Sequence, residues 1–314
     1  MLERRHFLQA AMALMASGAL GPNVVRASAT QRLSQSNLLE FDDLGQVTLL
    51  HVTDIHAQLK PVWFREPSTN IGVGGAAGLP PHITGPDFLR HYGVDAGSAA
   101  AYALSSVDFA ALAKNYGRLG GIDRLATLVN AIRGTRPENT LLLDGGDTWQ
   151  GSYTALKSEG RDMVEVMSAL GVDAMTAHWE FTYGADQVES LIEDLPFPFL
   201  AANVFDTEWD EPVFAPSAEF ERGGVRIAVI GQAFPYTPIA NPRYKIPAWS
   251  FGIREEQLRA TVGAARAGGA GLVVLLSHNG FDVDRKLASR VAGIDVILSG
   301  HTHDAVPAAT KVGS

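Results

Sequence analysis

Short apolar runs, each followed closely by an acidic residue or a histidine, recur along the chain and set the tightest limit on its fold. The runs at 46–52, 140–143, 172–176, 199–204, 226–231, 271–277 and 296–299 are rich in Val, Ile and Leu. Their length and bounding turn residues predict strands. Between them, amphipathic patterns predict helices at 121–133, 163–170, 185–192, 254–267 and 283–291. This alternation calls for a layered α/β architecture, with sheets flanked by helices and largely buried.

Residues 60–117 break the rhythm. Pro61, Pro67, Pro80, Pro81 and Pro86 and the stretch GVGGAAG mark a long excursion rather than a strand–helix unit, and ordered excursions of that length are often functional. The glycines follow no predicted strand and open no predicted helix, so they lack the context of a nucleotide-binding loop.

The chain opens with Arg4-Arg5-His6-Phe7-Leu8, an apolar run and Ala27-Ser28-Ala29. That is the pattern of a twin-arginine export signal over residues 1–29, followed by a linker at 30–45. The apolar run is shorter than the ~20 residues of a spanning helix. The expected location is therefore periplasmic, reached through the twin-arginine machinery. There is no cysteine, so a metal site must be built from His and carboxylates, which favour hard or borderline divalent cations. A net charge of −9 speaks against a nucleic-acid partner, whose affinity comes from a basic face.

The chemistry gathers beyond the predicted strands. HVTDIHAQ carries Asp54 and His56 two apart, read as one extended segment with both side chains on one face. LLLDGGDTWQGS brings Asp147 behind Gly145 and Gly146, which permit close backbone approach. LLSHNG supplies His278 and Asn279, and ILSGHTHD supplies His301 and His303. Any single Asp or His in a turn is more often a cap or turn residue than a ligand. Five of the nine histidines, however, fall in these segments: His56, His178, His278, His301 and His303. Open α/β sheets collect ligands at this edge. His51 reads as a strand residue, and His82 and His91 lie in the excursion.

Taken in order, D-x-H, G-G-D, AHWE, SHNG and GHTH resemble the calcineurin-like metallophosphoesterases, in particular their exported 5'-nucleotidase branch. AHWEFTYG and the inserted residues 58–85 further resemble the SoxB family of sulfate thiohydrolases. The resemblance spans residues 46–304 and implies a metallophosphoesterase fold with mixed sheets over 46–314 and an insertion at 60–117. It implies Asp54, His56 and His303 at one metal, His178, His278 and His301 at a second, and Asp147 bridging both. The cations would be two Mn2+, with other divalent metals possible, and would lower the pKa of water. Asp147, His178 and Trp179 would be catalytic, with Trp179 and Asn279 touching substrate. The partner would be a SoxYZ-type sulfur carrier bearing a cysteine S-thiosulfonate.

Phosphoesterases of this kind carry Gly-Asn-His-Glu where this chain has Ala177-His178-Trp179-Glu180, so an indole stands where a proton-donating His is expected. A departing thiolate, whose conjugate acid has a pKa near ~8.5, needs that donor far less than an alkoxide does. Trp179 as a packing residue is the plainer reading. A phosphomonoesterase and a metal-binding domain without turnover stay open as alternatives. The family's C-terminal 5'-nucleotidase-type domain is expected to be absent from these residues.

Overall fold

The computed structural model describes residues 45–67, 69 and 71–313. The export segment and the linker up to residue 44 lie outside the described residues. The chain divides into two units.

One unit comprises Leu59–Thr135 and His303–Lys311. It contains helices α1 (Gly85–Tyr92), α2 (Ala99–Leu104), α3 (Phe109–Tyr116) and α4 (Ile122–Thr135). Phe88, Leu89, Tyr102 and Leu112 form its core. Gly93, in the left-handed region, ends α1, and the Ser98 hydroxyl caps α2 by accepting from the Ala101 N–H. The excursion read from prolines and glycines thus contains helices that the sequence pattern did not predict. The stretch GVGGAAG forms only a short 3-10 turn at Gly74–Ala76.

The second unit holds residues 45–58 and Arg136–Thr302, followed by 312–313. Strands β1 (Thr48–Val52), β2 (Thr140–Asp144) and β3 (Ala174–Met175) form a parallel sheet. Strands β4 (Val204–Asp206) and β7 (Trp249–Phe251) pair antiparallel. A four-stranded sheet has the order β5 (Ser217–Arg222), β6 (Val225–Gln232), β8 (Leu272–Ser277), β9 (Val296–Ser299), with β5 antiparallel and the rest parallel. The helices of this unit are α5 (Tyr153–Ser158), α6 (Arg161–Leu170), α7 (Ala185–Glu193), α8 (Thr237–Ala240), α9 (Glu255–Ala267) and α10 (Phe281–Ala288).

Side-chain alternation along each strand explains the layering. Ile227 and Val229 of β6 and Val274 and Leu276 of β8 face Leu141 and Leu143 of the parallel sheet. The alternate residues Ala228, Ile230, Val273 and Leu275 face Leu258 and Val262 of α9 and Leu287 of α10. One run of apolar residues therefore serves two cores, one between the sheets and one under the helices.

The strand expected at 199–204 is paired only from Val204 onward. Before it, Phe199 and Leu200 make isolated bridges, and the Asn203 side chain takes over the backbone's role. Its Nδ2 donates to Ala233 O and Gly252 O, and its Oδ1 accepts from Ala233 N. Strands β5 and β7 were not expected. Every other predicted strand and helix is present, with ends shifted by a few residues.

Candidate metal centre

The loops that leave β1, β2, β3, β8 and β9 of the second unit bring acids and histidines together. Asp147, His178, His278 and His301 each offer a ligand atom, all within 4.8 Å of one another, and Asp54 and His56 share the same closeness with Asp147. His303 belongs to the other unit, where its Nδ1 lies 2.6 Å from Glu66 Oε2.

Asp147 is 1 % exposed. Its Oδ2 lies 3.1 Å from His178 Nδ1, 3.1 Å from His278 Nε2 and 3.8 Å from His56 Nε2. Its Oδ1 accepts from the Trp179 N–H at 2.8 Å. Burial alone would raise its pKa, but the hydrogen bonds and charges of His178 and His278 outweigh that and hold it well below the ordinary carboxylate range.

His278 provides the test of whether a cation fits. Its Nδ1 donates to Gly145 O at 2.6 Å, so in the neutral ring Nε2 presents a lone pair to Asp147 Oδ2, another acceptor. Two acceptors at that distance require a proton or a cation between them. Burial lowers the pKa of His278, but Asp147 and Asp54 reverse this and raise it to about 9, so a proton fills the gap when no metal does. His178 Nε2 is buried without a hydrogen-bond partner. His301 is held near pKa 4, first by burial and then by the charges of His278 and His178, which leaves its ring neutral and able to donate a lone pair. These residues fit a divalent cation.

Local backbone conformation aims several of the donors. Asp54, His56, Ala57, Asp147, His301 and His303 all have positive φ, a region that costs a non-glycine residue energy and tends to persist at functional sites. The segment carrying Asp54 and His56 is therefore not extended, contrary to the reading from its spacing. β1 ends at Val52, and a left-handed turn, tied by His56 N to Asp147 O at 2.8 Å, sets the two residues. Asp54 accepts from Thr53 Oγ1 at 2.6 Å and from the His301 N–H at 3.0 and 3.2 Å. A Cβ on Gly300 would lie 2.4 Å from Thr53 Oγ1, 3.0 Å from His278 Nδ1 and 3.1 Å from Asp54 Oδ2, so only glycine fits there.

Several contributors escaped the sequence reading. Glu180, 0 % exposed, accepts from the N–H groups of Asp147, Thr148, Trp149 and His178 at 2.7 to 3.3 Å. It thereby ties the β2 loop to the β3 loop. Phe234 places its ring 4.1 Å from both the His178 and His301 rings. Asp144, pushed up to about 7 by burial and the charge of Glu180, accepts from Gly146 N and Thr148 Oγ1. A Gly-flanked acid at a strand end was the one signal available for Asp144. Trp179 is half-buried, with its ring 4.7 Å from that of His178. Asn279 donates from Nδ2 to Asp284 Oδ1, while its Oδ1 is buried without a partner.

No family model matches the chain. It is 31% identical to rat 5'-nucleotidase over 192 residues, which is 59% of this chain and 33% of the rat protein. The structure of the sulfate thiohydrolase SoxB of Thermus thermophilus superposes with a TM-score of 0.84 at 39% identity, covering 87% of this chain and 51% of that one. A calcineurin-like phosphoesterase, YfkN of Bacillus subtilis, superposes with a TM-score of 0.56 at 23% identity over 81% of this chain and 71% of that one. The chain thus spans about a third of the rat protein and half of the SoxB structure. No helix among the described residues is long and apolar enough to cross a membrane. The chain has the calcineurin-like phosphoesterase fold and resembles the 5'-nucleotidase branch, with more in common with the sulfate thiohydrolase SoxB than with the other two proteins compared.

Proposed function

We propose that this chain carries the metal-dependent hydrolytic centre of a sulfate thiohydrolase acting on a cysteine S-thiosulfonate of a SoxYZ-type carrier protein in the periplasm. The observation that carries this reading is the pair His178–Trp179. The His178 imidazole and the Trp179 backbone N–H both meet Asp147, and the Trp179 indole lies beside that imidazole, at the place where a phosphoesterase of this fold keeps an Asn and a proton-donating His. Similarity to the Thermus sulfate thiohydrolase supports it.

Asp54, His56 and His303 would hold one cation and His178, His278 and His301 the other, with Asp147 shared; Mn2+ is the proposed metal. When bound, the cations supply Lewis acidity and bring the pKa of water toward neutrality. The overall reaction is R–S–SO3⁻ + H2O → R–S⁻ + SO4²⁻ + 2 H⁺. The bond between the sulfonate sulfur and its neighbouring sulfur breaks, and the water oxygen joins the sulfonate sulfur. The electron pair of the broken bond leaves with R–S⁻, a thiolate or, where R ends in the carrier's cysteine sulfur, a persulfide. Asp147, kept ionised by His178 and His278, fixes the Trp179 backbone through Oδ1. The Trp179 ring, packed on His178, walls the site with no transferable proton, which a thiolate leaving group tolerates. Asn279 retains an unpartnered amide oxygen for substrate. The twin-arginine segment would deliver the chain to the periplasm.

The similarity to rat 5'-nucleotidase favours a second reading, phosphomonoester hydrolysis. Assaying the purified chain with Mn2+ on a carrier-bound thiosulfonate and on a nucleoside monophosphate separates the two. Sulfate release without phosphate release is expected. Phosphate release alone establishes the second reading, and two bound equivalents of Mn2+ with neither product mark a binding domain without turnover. Trp179→His should raise the phosphatase-to-thiohydrolase ratio by ~10²-fold or more, the lower end of what a positioned acid contributes. An unchanged ratio at equal metal loading returns Trp179 to a packing role.

A further inference from the structure

Glu180 is one buried carboxylate that supports the donor residues; Asp284 is another, and neither motif nor spacing drew attention to it. Asp284 is 3 % exposed and lies within α10. Its oxygens accept from three separate points: Oδ1 from Ser277 Oγ at 2.8 Å and Asn279 Nδ2 at 3.0 Å, and Oδ2 from Ser299 Oγ at 2.5 Å. Ser277 is the last residue of β8 and Ser299 the last of β9, and the two are paired across the sheet.

His278 follows Ser277 directly, and His301 lies two residues after Ser299. The Gly300 N–H donates to Ser277 O at 2.9 Å, which continues the pairing one step past the strand ends. Asp284 therefore fastens β8 to β9 immediately before each releases a candidate ligand. A carboxylate is a costly choice for a buried helical position that an apolar residue could fill, and burial does raise its pKa. Packing does not require it either, since Leu287 of the same helix already joins the core beneath the sheet. What the carboxylate adds is geometry: two acceptor atoms that hold two hydroxyls and an amide at fixed positions.

We propose that Asp284 is a positioning residue that sets the spacing of His278 and His301 for a divalent cation, acting through Ser277, Ser299 and Asn279. The proposal rests on the metal reading above. Partners one shell outside the ligands typically change metal affinity 10–100-fold when removed.

Calorimetric titration of the purified, chelator-stripped chain with Mn2+ tests it, alongside Asp284→Asn, Ser299→Ala and Ser277→Ala. In Asp284→Asn, one of two equivalents should bind about 10–100-fold more weakly while the other changes little. Ser299→Ala should reproduce about a tenfold part of that loss with the metal-free melting temperature close to the parent's, a combination that a merely structural role would not give. If Asp284→Asn fails to fold, the two serine variants decide. Parent-like affinity for both equivalents in the variants that fold, or equal weakening of both, overturns the proposal. A parent chain that binds no Mn2+ overturns the metal reading itself, and that result is visible before any variant is compared.

Discussion

The two donor groups share Asp147 but are held by different means. His178 and His278 are sealed from solvent. Packing against Phe234 and Trp179 and a bond to the Gly145 carbonyl fix their rings. Asp54 and His56 are partly exposed and owe their direction to left-handed backbone, a neighbouring hydroxyl and the amide of His301. Packing makes the first group rigid, whereas the second depends on a strained turn that a glycine allows to close. The first should tolerate little change in volume, and the second little change in backbone.

The largest expected break in this comparison is Asp147→Ala, which removes the shared member. Both equivalents of Mn2+ should weaken, by roughly 1,000-fold or more, about 4 kcal/mol. Elemental analysis showing two full equivalents would contradict the sharing. Glu180→Gln comes next, since it replaces one acceptor oxygen of the clamp with an NH2 group that can only donate and so faces N–H groups it cannot bond. It should weaken the packed group by about 10–100-fold and spare Asp54 and His56, a difference that calorimetry resolves. Gly300→Ala strikes both groups at once. Its Cβ meets Thr53 and Asp54 on the open side and His278 Nδ1 on the packed side, so both equivalents should weaken, and the fold should lose about 1–3 kcal/mol from overpacking in denaturant titration.

The smallest effect concerns His51 in β1. Burial holds its pKa near 4, with the positive charge of His278 adding to and Asp54 opposing the shift. A folded pKa below the unfolded value of 6.5 means stability is full above pH 6.5 and is lost as pH falls toward 4. Between pH 6.5 and 5.5 the metal-free chain should lose about 1 kcal/mol through this group, and His51→Gln should lack that part of the slope. Equal slopes for parent and variant would show that His51 does not sense the buried environment.

Local pattern was enough to find what local pattern encodes. Strands β2, β6 and β8 stand out because their apolar runs are buried on both faces, and β1 and β9 because their largely half-buried runs are still mostly apolar. Ser217–Arg222 did not, because a half-exposed edge with Glu219 and Glu221 outward reads as polar chain, and the three residues of β7 are too few for any period. The candidate ligands were legible from their position after strands. Glu180 and Asp284 were not, since their meaning lies in partners on other segments of the chain, the loop after β2 for Glu180 and the ends of β8 and β9 for Asp284. The turn at Asp54 misled for a related reason. Two-residue spacing implies a shared direction only in extended backbone, and nothing in T-D-I-H announces positive φ.

That backbone constrains how the chain could lose its chemistry. Left-handed conformation is open to glycine and, at lower cost, to asparagine, aspartate and histidine, and it is nearly closed to β-branched residues. A lineage drifting away from metal binding would therefore change Asp54, His56, Asp147 and His301 most readily to asparagine or glycine. Valine, isoleucine or threonine would be purged for the fold's sake alone. Descendants stripped of activity should keep these turns, and their substitution record would trace the shape of a vanished site long after the donors were gone.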